Sequence, residues 1–144
     1  MIRHVSSIAE IVADVEGAVR FYRDVLGLEV DYDSGSAYAT IKVAGTLHFG
    51  LWARSAAAES VFGDASAADR IPLGFTVGFE VDRVESAQHR IEARGWPILQ
   101  PIRQEGWGQT TCRFLTPGGG LGEVAETPSA RQIAEPMRVE PESM

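Results

Sequence analysis

The chain has 144 residues, 44% hydrophobic and 23% charged, enough to bury a core without disulfide or metal staples. Its net charge of −7 offers no basic field for gathering phosphates, which argues against nucleic acid or an anionic membrane surface as a partner. No run approaches the roughly 18 apolar residues of a spanning helix, and Met1-Ile2-Arg3-His4 opens no apolar leader, so a cytoplasmic protein is expected.

In chain order, a first strand is expected over Val5–Ala13. Asp14 stands where a short carboxylate can accept from the free amides of a helix's first turn, and Gly27 where positive φ ends that helix. Between them Ala18, Phe21, Tyr22, Val25 and Leu26 recur at helical spacing. Strands follow at Leu28–Tyr32, Ala37–Val43 and Thr46–Trp52, broken by Ser34-Gly35 and Ala44-Gly45. Ala53–Pro72, rich in Ala and Ser, reads as a crossover with a short helix at Ala56–Val61.

The pattern then returns. Phe75–Val81 reads as a strand, Asp82 with Glu85 as an N-cap and capping box, Val84, Ala87 and Ile91 as a helical stripe, and Gly95 as its terminator. Pro97–Pro101, Gln109–Leu115 and Leu121–Glu126 complete a second set of strands. Asp14 precedes Gly27 by thirteen residues and Asp82 precedes Gly95 by the same thirteen, so a βαβββ unit occurs twice. The lone Cys112 reads as a packed strand thiol, and Trp96, after helix-ending Gly95, as core. His4 and His89 read as surface residues.

Phe21–Val30 (FYRDVLGLEV) after Asp14, and Glu105–Glu126 with Trp107-Gly108, Phe114, Pro117, Gly120 and Glu123, resemble the vicinal oxygen chelate superfamily. That superfamily includes glyoxalase I, extradiol dioxygenases, and fosfomycin- and bleomycin-resistance proteins. The resemblance extends over almost the whole chain to Glu126. The expected fold class is α+β, with two βαβββ modules (1–52 and 73–126, crossover 53–72) forming a curved mixed sheet around a cup, in one domain 1–126. Residues 127–144, with Pro128, Pro136 and Pro141 among charges, read as a flexible or partner-draped tail. A homodimer is implied, as is a small-molecule ligand.

In metal-dependent members, the resemblance implies one divalent ion (Zn, Ni, Mn or Fe) held by the first and last strands of each module, usually through His or Glu. On the last strands the equivalent positions are His48 and Glu123. On the first strands they fall at Ser7 or Ile8 and at Phe75 or Thr76, none a usual ligand.

Aligning the strands at the repeat offset sets Ala9, Ile11 and Ala13 against the helix, as Val77, Phe79 and Val81 would be. Ile8, Glu10 and Val12 then face the cup, as do Thr76 and Glu80, which spares Glu10 a costly helix-facing position. Glu10 and Glu123 become the candidate catalytic carboxylates, with Glu10 a third ligand beside His48 and Glu123 if a metal binds. His48, Phe49, Trp52, Thr76, Glu80 and Trp107 are the candidate ligand-binding residues, the aromatic ones suiting a planar molecule. Because the first-strand ligands are missing, the leading expectation is a cofactor-free binder of a planar or partly apolar molecule. The alternative is a metal-dependent lyase, isomerase or dioxygenase acting on vicinal oxygens, and a third reading is a pure interaction module.

Overall fold

A computed structural model describes residues 1–128, so the expected tail lies outside the described residues apart from Thr127 and Pro128. The elements run β1 (Ile2–Val12), α1 (Val15–Arg20) with a π-helical turn at Phe21–Val25, β2 (Glu29–Asp31), β3 (Tyr38–Lys42) and β4 (Phe49–Ala53). After α2 (Arg54–Phe62) and a 3-10 turn at Ala65–Arg70 come β5 (Gly74–Val81), α3 (Val84–Ala93), β6 (Gln100–Gln104), β7 (Thr110–Leu115) and β8 (Leu121–Glu126). The eight strands form one sheet ordered β2-β3-β4-β1-β5-β8-β7-β6. Each module's first strand is parallel to its last, and β1 pairs antiparallel with β5 at the centre. The α+β class and the doubled βαβββ order are as expected.

Two helices cover one face of the sheet. Val15, Val19 and Tyr22 pack on Val30, Ala39, Ile41 and Leu51, while Val84 and Ala87 of α3 pack on Val81, Cys112 and Val124. Burying each such large side chain contributes about 1.5–3 kcal/mol. On the opposite face Ile11 and Leu121 meet Ala57, Ala58 and Val61 of α2 together with Ile71. The crossover therefore does more than connect the modules: α2 sits inside the concave face and forms part of its wall.

The repeat is offset from its expected alignment by one residue. Asp14 caps α1, accepting from Gly17 N at 3.1 Å, but α3 has Arg83 at its N-cap and no side-chain cap of its own. Its first amide, Val84 N, donates instead to Glu126 Oε2 at the end of β8, 2.9 Å away. Asp82 is drawn off by Arg3, 2.8 Å away, so the expected Asp82 capping box does not form. Gly27 and Gly95 do close their helices, at φ 69° and 78°. The starts of the two helices are thus one residue further apart than their ends. The π-helical turn accounts for this, since Leu26 N reaches back five residues to Phe21 O at 3.3 Å.

That one-residue slip turns β1 over relative to the expected register. Glu10 is paired with Leu51 of the α1 core, and Ile8, Glu10 and Val12 face the helix. Ser7, Ala9 and Ile11 face the cup, opposite Gly78, Thr76 and Gly74. In β5 the expected orientation holds, with Phe79 and Val81 in the α3 core. Trp96 is 42% exposed rather than core, its indole N–H donating to Leu115 O at 2.8 Å. Cys112 is fully buried, and burial pushes its thiol up to about 11.

Candidate functional site

Across the middle of the cup Ser7 of β1, Gly78 of β5 and Glu123 of β8 stand side by side. His48 joins the row because its carbonyl accepts from Ile8 N at 2.9 Å. A bulge in β1 between Val5 and Ser7 swings the Ser6 hydroxyl onto Gly78 O, 3.2 Å away. The two serines and Glu123 crowd over Gly78, where a Cβ would lie 2.6 Å from Ser7 Oγ and 2.9 Å from Glu123 Oε2. Only glycine leaves room for them.

Gly50 plays the same part in module one, since Tyr38 lies directly over it. The Tyr38 hydroxyl hydrogen-bonds His48 Nε2, and the two rings stack at 5.6 Å and 12°. Burial holds His48 below its ordinary value, so the imidazole is neutral at neutral pH. Burial, with the charge of Glu123 adding, pushes the Tyr38 phenol far above its ordinary value. Tyr38 keeps its proton, and with the His48 proton on Nδ1 the phenol donates to Nε2.

Module two contributes an ion network around Arg113, which is 1% exposed. Its Nε donates to Glu123 Oε1 at 2.9 Å, and its Nη2 forms an ion pair with the same oxygen at 2.8 Å. Its Nη1 donates to Glu105 Oε1 at 2.8 Å, Gln100 Oε1 at 2.6 Å and Ser60 Oγ at 2.9 Å. Ser60 lies on α2, so the network ties the crossover helix to the sheet. For Glu123 burial outweighs the opposing pull of Arg113, and its carboxyl is held above the usual range. The Arg113 guanidinium also stands over the Trp52 ring, 5.5 Å from its centroid.

Beside this network a groove of about 430 Å³ opens between α2 and the segment after β6, lined by Trp52, Ser60, Arg103, Glu105 and Trp107 among others. Trp107 is 60% exposed, and its indole N–H donates to Gln109 Oε1 at 2.8 Å.

The residues singled out from sequence divide accordingly. His48 and Glu123 reach the cup floor, and Trp52 and Trp107 share the groove. Thr76 faces the cup, but its hydroxyl is committed to Leu121 O at 2.6 Å. Glu80 is fully buried on the cup face; its Oε2 accepts from Thr127 N at 2.8 Å and its Oε1 has no partner among the described residues. His4, directly opposite on β1, is half-buried rather than a surface residue, whereas His89 is exposed. Glu10 is not in the cup: on the helix-covered face it accepts from Tyr22 Oη at 2.6 Å, which removes the desolvation cost that argued for the cup. Phe49 lies on that same face, edge-on to Tyr22 at 5.8 Å.

Sequence reasoning missed Tyr38, Glu105 and Arg113. Arg113 was findable, since it alternates with Cys112 and Phe114 in β7, so it points to the cup and needs a carboxylate there. Tyr38 carried no such signal, because its role depends on the room left above Gly50.

The donors present do not fit a divalent ion. The Nε2 of His48 is engaged by Tyr38 and Oε1 of Glu123 by Arg113, while Ser7 and Thr76 fill the first-strand positions. Among the described residues no three His, Cys, Asp or Glu side chains come together as a cation site.

The family model for the glyoxalase/bleomycin resistance protein/dioxygenase superfamily matches residues 4–124. In fold, the chain is similar to a member of that superfamily from Vibrio splendidus 12B01, with 20% identity and a TM-score of 0.60 over 88% of this chain and 100% of that one. It is also similar to methylmalonyl-CoA epimerase from Mycobacterium tuberculosis, with 20% identity and a TM-score of 0.59 over 91% and 93%. A Streptomyces coelicolor epimerase in complex with 2-nitronate-propionyl-CoA is 16% identical, with a TM-score of 0.57 over 89% and 99%. No curated protein matches the chain.

Proposed function

The chain belongs to the glyoxalase/bleomycin resistance protein/dioxygenase superfamily, and from that membership we propose that it is a small-molecule-binding protein holding a planar, partly apolar ligand between Trp52 and Trp107. The observation that carries this reading is that two tryptophans from different modules line one groove of about 430 Å³, within the usual range for ligand pockets. Trp52 is braced by Arg113, so one wall is preorganised. Trp107 stands at the rim between Gly106 and Gly108, where its ring can close over a guest.

The metal-dependent lyase, isomerase or dioxygenase is the weaker reading, because the donors do not fit the ion and Glu10 faces away from the cup. The same proposal takes the protein as a homodimer, since β2 and β6 leave both ends of the sheet unpaired among the described residues. Light scattering at micromolar concentration tests that point.

The test of binding is a screen of planar aromatic natural products read by tryptophan fluorescence and calorimetry. Loss of one stacking wall in Trp107→Ala should weaken a confirmed ligand by about threefold to tenfold. Unchanged affinity would make Trp107 a bystander and defeat the proposal. So would sub-micromolar binding of Ni, Zn, Mn or ferrous ion that both His48→Ala and Glu123→Ala abolish.

A further inference from the structure

We propose that Glu105 determines which ligands the groove accepts, and that it selects planar rings bearing a protonated nitrogen; this rests on the groove being the binding site.

Arg113 is one buried cation between two buried carboxylates, with side-chain exposures of 5% for Glu105 and 11% for Glu123. One guanidinium balances one carboxylate, and burial works against ionisation of the second, Glu123. Both carboxylates spend the same oxygen on Arg113. Glu105 Oε1 also accepts from Ser60 Oγ and Thr111 Oγ1, each at 3.1 Å, so this oxygen is saturated. The hydrogen bonds from the described residues all fall on that oxygen and none on Oε2, and Glu105 lines the groove. Glu59 and Arg103 add one formal charge of each sign to the groove, and Arg103 Nη1 is buried without a partner among the described residues.

The free oxygen is also held in place relative to the aromatic wall. Glu105 N donates to Gln109 O at 2.7 Å and Gly108 N to Glu105 O at 3.0 Å, closing a tight loop that carries Trp107 at its tip. A carboxylate lining the same groove as two indole rings suits a cation twice over. It offers a charge-assisted hydrogen bond to an N–H donor, and the ring faces attract the positive charge.

The experiment measures three planar probes by calorimetry at low ionic strength: aminoacridinium as cation, acridone as neutral ring and acridine carboxylate as anion. Wild type should bind aminoacridinium about tenfold or more tighter than acridone, with the carboxylate weakest. Glu105→Gln should lose the cation preference, the ratio of aminoacridinium to acridone affinity falling toward one. Equal affinities, an anion preference, or a cation preference surviving Glu105→Gln would overturn the proposal. If Glu105→Gln does not fold, Glu59→Gln decides: Glu105 is then the remaining groove carboxylate among the described residues, so a retained preference supports the proposal and a lost one overturns it. Acridone binding that Trp107→Ala weakens, without any charge preference, would spare the proposed function and defeat this inference alone. No binding by any probe would bring down both.

Discussion

Tyr22 donates a 2.6 Å hydrogen bond to Glu10 across the contact between α1 and β1. The pair allows a carboxylate to sit against a helix, and the phenol responds to it. Burial first, then the hydrogen bond and charge of Glu10, push Tyr22 up to about 12. Folding thus favours the neutral phenol. The unfolded chain ionises near its ordinary value of 10.0 while the folded one does not, so this contribution is full below that value and lost as pH rises toward about 12. Tyr22→Phe should cost about 1–3 kcal/mol at neutral pH by leaving Glu10 without its donor. Urea unfolding followed into alkali should also show a shallower decline in the variant than in wild type.

The same pair explains which parts of the fold were legible in sequence. Helix-closing glycines, turn breaks and the alternation of β5 and β7 follow from local chemistry and were readable. The orientation of β1 was not, because it depends on a π-helical turn and on Glu126 capping α3, and neither leaves a local mark. An equal spacing from Asp14 to Gly27 and from Asp82 to Gly95 concealed two compensating one-residue differences. At the site, the pattern of ligand-type residues pointed to His48 and Glu123 but not to Glu105, nor to Tyr38 and Arg113, which occupy the donor atoms of His48 and Glu123.

A methyl group at position 50 would occupy the space of the Tyr38 phenol. Gly50→Ala should displace that ring and separate it from His48, at a cost of about 1–3 kcal/mol for overpacking. With burial relieved, His48 should titrate closer to its ordinary value. Imidazole proton shifts followed by NMR against pH would check this, and an unchanged titration would show that Tyr38 does not control the environment of His48.

Removing Arg113 should be the most damaging single change in the cup. Arg113→Met leaves Glu105 and Glu123 buried without their cation, a loss of about 3–5 kcal/mol. Adding Glu105→Gln and Glu123→Gln to that variant should restore part of the loss, because the neutral amides need no counter-charge. A triple variant no more stable than the single one, by denaturant midpoint, would mean that the damage comes from lost packing on Trp52 instead.

His48 and Glu123 should pull the pH dependence of stability in opposite directions. His48 is depressed by burial from 6.5, so the unfolded chain takes up a proton where the folded one resists. Its contribution is present above 6.5 and is lost as pH falls below it. The carboxyl of Glu123 is raised from 4.5, burial prevailing over Arg113, so the folded state holds a proton that the unfolded chain releases. Its contribution is full below 4.5 and is lost as pH rises toward the raised value. Against His48→Gln, whose amide can still accept from Tyr38, wild type should therefore lose relative stability as pH falls from 7.5 to about 5.5. Against Glu123→Gln, it should lose relative stability as pH rises from about 4.5. Chemical denaturation of the three proteins across this range gives both differences directly. A wild-type advantage over His48→Gln that grew on acidification would mean that His48 is protonated in the fold, and Tyr38 could then no longer be its donor.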